Sequence, residues 1–435
     1  MKLKLISICA LLFIVLSCDT KKEFEQETAP YFVKYFGEDG DQEAVDMVVK
    51  KDSIIILANT NRPGNSQRIM LIITDLNGNI LGQKTLGNGK DARGRNISEI
   101  GQDIEPTADG NYLVLSNMYR GIDPATNENL YDFKVIKINP KGDSIGGMEF
   151  GNNGDKWTTQ YIHSITPTSD GGFVVTGNST DETIAVDPGL PPPDLEDIFS
   201  IGFKSDFKTI AWTTLELGTP VGSTGEHFGS GIKVFEAATN KYYIFSYSDR
   251  QLLGATDFES NFEVITFSGN GIPLGFADNA GKATSDETLA FVAKVPAVLG
   301  GGYYEFGTSV SQNASTSAGQ LYFCKRSENL IKQSEGTINV SGQFTAVSVT
   351  PCVVSEGFLL LATEKTTAGT TVRLIKTNLN SEAQWSVDMG SFDKLSKGSS
   401  IAELPDGRIL ILGTIELETQ DKVGLMKVNA NGEFF

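Results

Sequence analysis

Short apolar runs alternate with tight polar turns along most of this chain, and the runs return in a fixed order. A Gly, Asn or Asp turn leads into a first apolar run, a loop follows, and a second apolar run closes on a polar residue. The clearest copies begin Asp109-Gly110-Asn111-Tyr112-Leu113-Val114, Asp170-Gly171-Gly172-Phe173-Val174-Val175 and Asp406-Gly407-Arg408-Ile409-Leu410-Ile411. First runs fall at 54–58, 112–116, 173–177, 242–246, 303–307, 358–362 and 409–413. Second runs fall at 69–75, 133–139, 198–204, 262–268, 321–326, 372–378 and 423–429. Their β-branched and aromatic content between hairpin turns predicts strands. No stretch combines helical periodicity with capping residues.

Each unit adds an upstream strand, such as 97–107 or 162–168, and a downstream one, such as 144–151 or 212–218. Four strands in each of seven units predict an all-β, seven-bladed β-propeller with four-stranded blades. We letter the strands A to D from the axis outward. No strand D follows the last turn, Asn431-Gly432-Glu433, whereas residues 31–37 align with 81–87 and 212–218. The N-terminal strand is therefore expected to complete the last blade.

The turns predict two unequal faces. A–B and C–D turns are short, as at Asp109-Gly110 and Asn77-Gly78, whereas B–C loops are longer and share no composition. Long, variable loops on a rigid frame are where binding concentrates. The longest holds Pro191 and Pro192 in a stiff, partly polyproline segment.

Lys2 and Lys4 precede an apolar stretch at 5–16, too short to span a bilayer, and this combination reads as a secretory signal. The residues Val15-Leu16-Ser17-Cys18 resemble a bacterial lipobox. That resemblance implies a signal peptide at 1–17, lipid attachment at Cys18, and a lipid-anchored place in an outer membrane. The charged segment 18–30 reads as a flexible tether and 31–435 as the propeller. Within the tether, Lys22-Glu23-Phe24-Glu25 resembles the acidic export signal of Bacteroidota lipoproteins and implies display at the cell surface.

Charge narrows the partners. The chain carries 54 acidic against 36 basic residues; losing Lys2 and Lys4 takes the basic count to 34 and the net charge from −18 to −20. Nucleic acid and anionic membrane surfaces are disfavoured as ligands. Once Cys9 is removed and Cys18 acylated, the thiols left are Cys324 and Cys352, read as two buried, unpaired cysteines.

Candidate chemistry is sparse. Asp41, Asp91, Asp155, Asp286 and Asp393 recur in D–A loops and form either an acidic ring at the channel mouth or side chains that bond their own backbone. The turn at Asp75 lacks the later acid of a calcium loop, so no metal is expected, and nothing implies a cofactor. His163 and His227 lie in different blades with no metal-ligand spacing; His163, on a strand A, reads as a satisfied structural histidine or as one that faces the channel. Trp157 beside Tyr161 reads either as a surface on which a sugar ring stacks or as loop packing, and Tyr119 opens a B–C loop. Trp212 and Trp385 read as packing between blades.

The copies around Asp170-Gly171-Gly172-Phe173-Val174-Val175-Thr176-Gly177 and Leu404-Pro405-Asp406-Gly407-Arg408-Ile409 resemble repeats of secreted bacterial propellers of the delta-60 and kelch-like kind. With the lipobox, the resemblance implies a Bacteroidota-type outer-membrane propeller lipoprotein and transfers no active site. With no catalytic constellation recognised, the sequence-based expectation is a non-enzymatic interaction or scaffold subunit of an outer-membrane assembly, with an outer-membrane protein as partner. The alternative is a propeller that binds or processes glycans.

Overall fold

The computed structural model describes residues 31–434 apart from 62–65, 88, 91–93, 95, 123–128, 152–158, 181–196, 217–228, 239–240, 249–259, 283, 312–318, 368, 391–394 and 418. Cys18 and the signal and tether segments lie outside the described residues, as do Asp91, Asp155, Trp157, Pro191, Pro192, His227 and Asp393.

The described residues form seven antiparallel sheets of four strands each. The first strand in the chain is β1 (Phe32–Phe36). Blade one follows as β2 (Asp41–Val49), β3 (Ile54–Asn61), β4 (Arg68–Thr74) and β5 (Ile80–Leu86). Blade two is β6 (Ser98–Pro106), β7 (Tyr112–Ile122), β8 (Asn129–Ile138) and β9 (Ser144–Phe150). Blade three is β10 (Thr159–Pro167), β11 (Phe173–Thr180), β12 (Asp197–Phe203) and β13 (Ile210–Glu216). Blade four is β14 (Gly229–Ala238), β15 (Lys241–Ser248), β16 (Asn261–Ser268) and β17 (Pro273–Phe276). Blade five is β18 (Ser285–Lys294), β19 (Tyr303–Ser311), β20 (Gln320–Arg326) and β21 (Lys332–Thr337). Blade six is β22 (Phe344–Pro351), β23 (Phe358–Thr366), β24 (Gly369–Thr377) and β25 (Ala383–Asp388). Blade seven is β26 (Leu395–Glu403), β27 (Ile409–Leu417) and β28 (Gln420–Val428), completed on its outer edge by β1. The chain is an all-β seven-bladed propeller.

The first runs read as continuous apolar stretches because strand B is covered on both faces. In β3, Ile54, Ile56 and Ala58 pack in the seam with blade seven, and Ile55 and Leu57 in the seam with blade two. Successive side chains point to opposite faces, so one strand serves two seams. An apolar cluster fills each seam between neighbouring blades. Trp212 illustrates the aromatic ones: it is buried against Tyr242 of blade four at 5.2 Å. Cys324 and Cys352 are buried, free thiols inside this packing.

The ring closes through β1, which pairs with β28 from Phe32 opposite Lys427 to Phe36 opposite Val423. Lys427 lies 4.8 Å above the Phe32 ring and donates to Leu76 O at 2.9 Å and Asn77 Oδ1 at 3.0 Å, in the C–D turn of blade one. On the opposite face Lys422 donates to Gly40 O and Gln42 Oε1, each at 2.9 Å. Closure is thus held at both ends of the last blade.

Candidate functional site

Strand A departs from regular pairing at the same point in every blade. A one-residue bulge follows Ala44, Gly101, Ile162, Gly231, Leu289, Ala346 and Gly398. The extra residues are Val45, Gln102, His163, Ile232, Ala290, Val347 and Ser399, and all seven line one central cavity of about 230 Å³. A bulge leaves its extra residue out of the ladder and re-aims it; repeated around the ring, it turns seven side chains onto the axis.

Polar residues of strand B hold these bulges in place. Asn59 of blade one accepts the Gly101 N–H of blade two at 2.7 Å. Asn117 of blade two grips Ile162 of blade three, donating to its O and accepting from its N–H, each at 3.0 Å. Thr414 of blade seven accepts the Ala44 N–H of blade one at 3.1 Å. A Cβ on Gly231 would fall 2.2 Å from Thr176 Oγ1, so a fourth blade needs glycine at this point. Each of these contacts falls on the residue just before the bulge.

Four titratable side chains from three blades meet at the cavity. Lys233 of β14 donates to Asp103 Oδ2 at 3.1 Å and to Glu105 Oε1 at 2.5 Å, bridging blades four and two past the intervening blade three. Burial opposes the Lys233 charge, but Asp103 and Glu105 outweigh it and hold the ammonium well above its ordinary pKa. Asp46 of β2 is half-buried, and its Oδ1 accepts the Met47 N–H at 2.7 Å. Burial, then Asp103 and Glu105, push its carboxyl up to about 8, against the Ser400 hydroxyl and the Met47 amide. Burial raises Glu105 as well, with the Lys233 charge opposing it. The cavity therefore holds a protonated Asp46 beside two acids bonded to a lysine. Environments that separate the pKa values of neighbouring acids mark acid and base assignments.

An aromatic wall leads from the long-loop face to this cavity. Tyr119 and Tyr131 sit opposite each other in β7 and β8, with ring centroids 5.6 Å apart. Tyr131 meets Tyr161 edge-on at 5.1 Å, and Tyr161 meets His163 at 5.2 Å. Gln102 Nε2 donates to the Tyr161 hydroxyl at 3.1 Å, tying the wall to the cavity lining. The three tyrosines are partly exposed. Burial and then the neighbouring Tyr161 and Tyr119 raise the Tyr131 phenol above its ordinary value. Burial lowers His163 to about 4, with Asn178 opposing it, so its imidazole is neutral near pH 7. Its Nε2 lies 3.2 Å from Asn178 Oδ1; with that oxygen accepting, Nδ1 is the basic nitrogen.

A second cavity of about 410 Å³ opens on the same face where blades six, seven and one meet. Its lining includes Asp41, Glu43, Asn59, Gln67, Lys397 and Asp421. Lys397 is paired with Glu43. Burial first, then Asp41, Glu416 and Glu43, raise Asp421. Asp41 accepts the Asp421 N–H at 3.1 Å, and Asp286 accepts the Ser260 N–H at 3.3 Å. These two D–A acids hold backbone amides. Among the described residues no group of three or more His, Cys, Asp or Glu is arranged to hold a metal ion.

The structure brings Tyr119 and Tyr161 together through Tyr131 and leaves Asp41 in the other cavity. Sequence reasoning missed Tyr131, Asp46, Asp103, Glu105 and Lys233. The one available signal was the polar residue ending an otherwise apolar strand B, as at Asn59 and Asn117, which marks where the next blade bulges.

No protein-family model matches the chain, and no curated protein matches it in sequence. Among solved structures it is similar to a polysaccharide lyase of family PL25, an ulvan lyase bound to a GlcA(1-4)Rha3S unit. That similarity has a TM-score of 0.53 at 10% identity, covering 92% of this chain and 96% of the lyase. It is also similar to the GH93 α-L-arabinofuranosidase of Fusarium graminearum in complex with arabinobiose, at a TM-score of 0.47 and 14% identity, over 77% of this chain and 93% of that one. A Synechocystis apocarotenoid oxygenase follows at 0.44 and 12%, over 79% and 71%. The likeness to the lyase establishes a shared fold; the other two fall below 0.5 and carry no weight here.

These comparisons correct two expectations. The chain was expected to be a non-enzymatic scaffold subunit, because no familiar catalytic motif appears in it. Yet the fold it shares over nearly its whole length is that of a polysaccharide-degrading enzyme. Both the scaffold reading and the expectation that the chain is not an enzyme are withdrawn. The acids that meet at the axis come from strands far apart in sequence, so no local motif joins them.

Proposed function

We propose that this propeller is a glycan-processing enzyme that hydrolyses a glycosidic bond at its central channel. The observation that carries the reading is the continuous path from the Tyr119–Tyr131–Tyr161 wall to the cavity holding Asp46, Asp103, Glu105 and Lys233. Sugar rings stack on the tyrosines, and a terminal residue enters the cavity. Glycoside hydrolysis needs one protonated carboxylic acid for the leaving oxygen and one ionised carboxylate. Asp46 supplies the proton for the leaving oxygen, and Asp103, bonded to Lys233, serves as the carboxylate that takes the proton of the attacking water. Lys233, the cation of this cluster, is engaged by both acids, which favours a neutral glycan over a uronate. The lipobox-like Val15-Leu16-Ser17-Cys18 and the repeat pattern support a lipid-anchored outer-membrane protein of the Bacteroidota type with delta-60 or kelch-like repeats.

The test is sugar release and binding on a panel of neutral and acidic polysaccharides. Asp46→Asn is expected to cut release about 100-fold or more while leaving binding intact. Tyr161→Ala is expected to weaken binding up to about tenfold. Release should fall as pH rises past about 8, where Asp46 ionises. Binding without release reduces the reading to a glycan-binding protein; neither binding nor release on any polysaccharide overturns it.

A further inference from the structure

The short-turn face carries apolar side chains that no blade packing uses. Ile80 begins β5 and Ile210 begins β13; Ile145 is the second residue of β9. Ile272 and Ile331 directly precede β17 and β21. In five blades, then, an isoleucine stands where strand D leaves the C–D turn, and each is between 45% and 67% exposed. Val298, in the A–B turn of blade five at the same end of the ring, is 74% exposed. Isolated exposed apolar residues are ordinary, but a set gathered on one rim marks a surface that meets something apolar. Strand D is moreover the outer edge of each blade, where exposed apolar residues invite aggregation and are normally avoided.

The same face receives the chain. Because β1 is the strand D of blade seven, Tyr31 enters the propeller at the rim where these isoleucines stand. Twelve residues, Asp19 to Pro30, join that point to Cys18. Fully extended they reach about 40 Å, so a lipid on Cys18 lets this rim touch the bilayer to which the chain is tied.

We infer that the isoleucine rim of the short-turn face rests in the interfacial region of a lipid bilayer, leaving the long-loop face and its channel mouth turned to the outside. The inference rests on the lipid anchorage proposed for Cys18 and is independent of the glycan chemistry. The net charge, −18 for the whole chain and −20 once Lys2 and Lys4 are removed, argues that the contact is apolar rather than an attraction to anionic lipid. A membrane-side rim and an outward channel would keep the enzyme's mouth clear for a polymeric substrate.

The test uses the full, processed chain in phosphatidylcholine vesicles that carry a lipid-borne quencher. A polarity-sensitive dye is placed at Ile272→Cys on the rim, at Ile210→Cys as a second rim site, and at Lys365→Cys near the long-loop end of β23. Cys324 and Cys352 are buried and stay unlabelled in the folded protein. Vesicle flotation reports the anchor; quenching reports the face. An apolar surface seated about 5–10 Å into the interface should give blue-shifted emission and about fivefold stronger quenching at 272 and 210 than at 365. Equal quenching at all three sites in floated vesicles overturns the inference while leaving the anchor standing. Loss of flotation overturns the anchor. A blue shift at 272 without lipid quenching means that a protein covers the rim, and overturns the lipid assignment.

Discussion

Replacing Asp46 with Asn removes a carboxyl that the fold keeps protonated. In the unfolded chain this group ionises near 3.8, in the folded protein only near 8. Between those values the unfolded chain has released a proton that the folded chain retains. The contribution of Asp46 is therefore intact below pH 4 and is lost progressively up to pH 8, at about 1.4 kcal/mol per pH unit. Across the whole window that would approach about 6 kcal/mol, but Asp46 is only half-buried, and solvent screening brings it to about 2–4 kcal/mol. With an unfolding entropy of about 2.1 cal/mol/K per residue, a chain of 435 residues shifts by about 1 °C per kcal/mol. The assay is Tm against pH from 4 to 9 for the parent and Asp46→Asn. The parent should lose about 2–4 °C more than the variant between pH 4 and 8. Glu287, which burial raises to about 7, titrates in the same direction in both proteins and cancels from the difference. Parallel curves would refute the reasoning, because they would mean that Asp46 is ionised in the folded channel.

Lys233→Ala leaves Asp103 and Glu105 facing each other without their cation, and should cost about 3–5 kcal/mol at pH 7 by chemical denaturation. That loss should shrink as pH falls and the orphaned carboxylates take up protons; a pH-independent loss would mean that only packing was removed. Deleting residues 31–37 uncovers β28 and takes Phe36 from the seam between blades seven and one. Its Tm should fall by at least about 10 °C, and adding the 31–37 peptide in trans should restore part of it. An unchanged Tm would show that the ring holds without its closing strand.

Much of this fold was legible in the chain because strand B and strand C are buried on both faces. Runs such as 358–362 and 409–413 are apolar without interruption, and their turns, Asp170-Gly171 among them, announce themselves chemically. Gly171 has a positive φ of 84°, which explains the glycine there. The closing strand was legible for the same reason: residues 31–37 repeat the spacing of the other D strands. The site was not. Its charges sit on strand A, the strand with one side toward the axis, where polar and apolar residues mix and the bulge shifts the alternation by one. Asp46, Asp103 and Lys233 lie 57 to 187 positions apart in sequence, and no local pattern links them.

Local periodicity repeated at a regular interval thus set the number of blades, their strand order and the means of closure. Tertiary structure alone decided which residues reach the axis. That choice depends on a bulge in each strand A, held in several blades by a side chain from the blade before it, and on seven sheets meeting around one channel. Packing three successive blades around the axis brings Lys233 of blade four within hydrogen-bonding distance of the acids of blade two. The same arrangement sets Asp46 beside Asp103 and Glu105, and partial burial together with their charges raises its carboxyl.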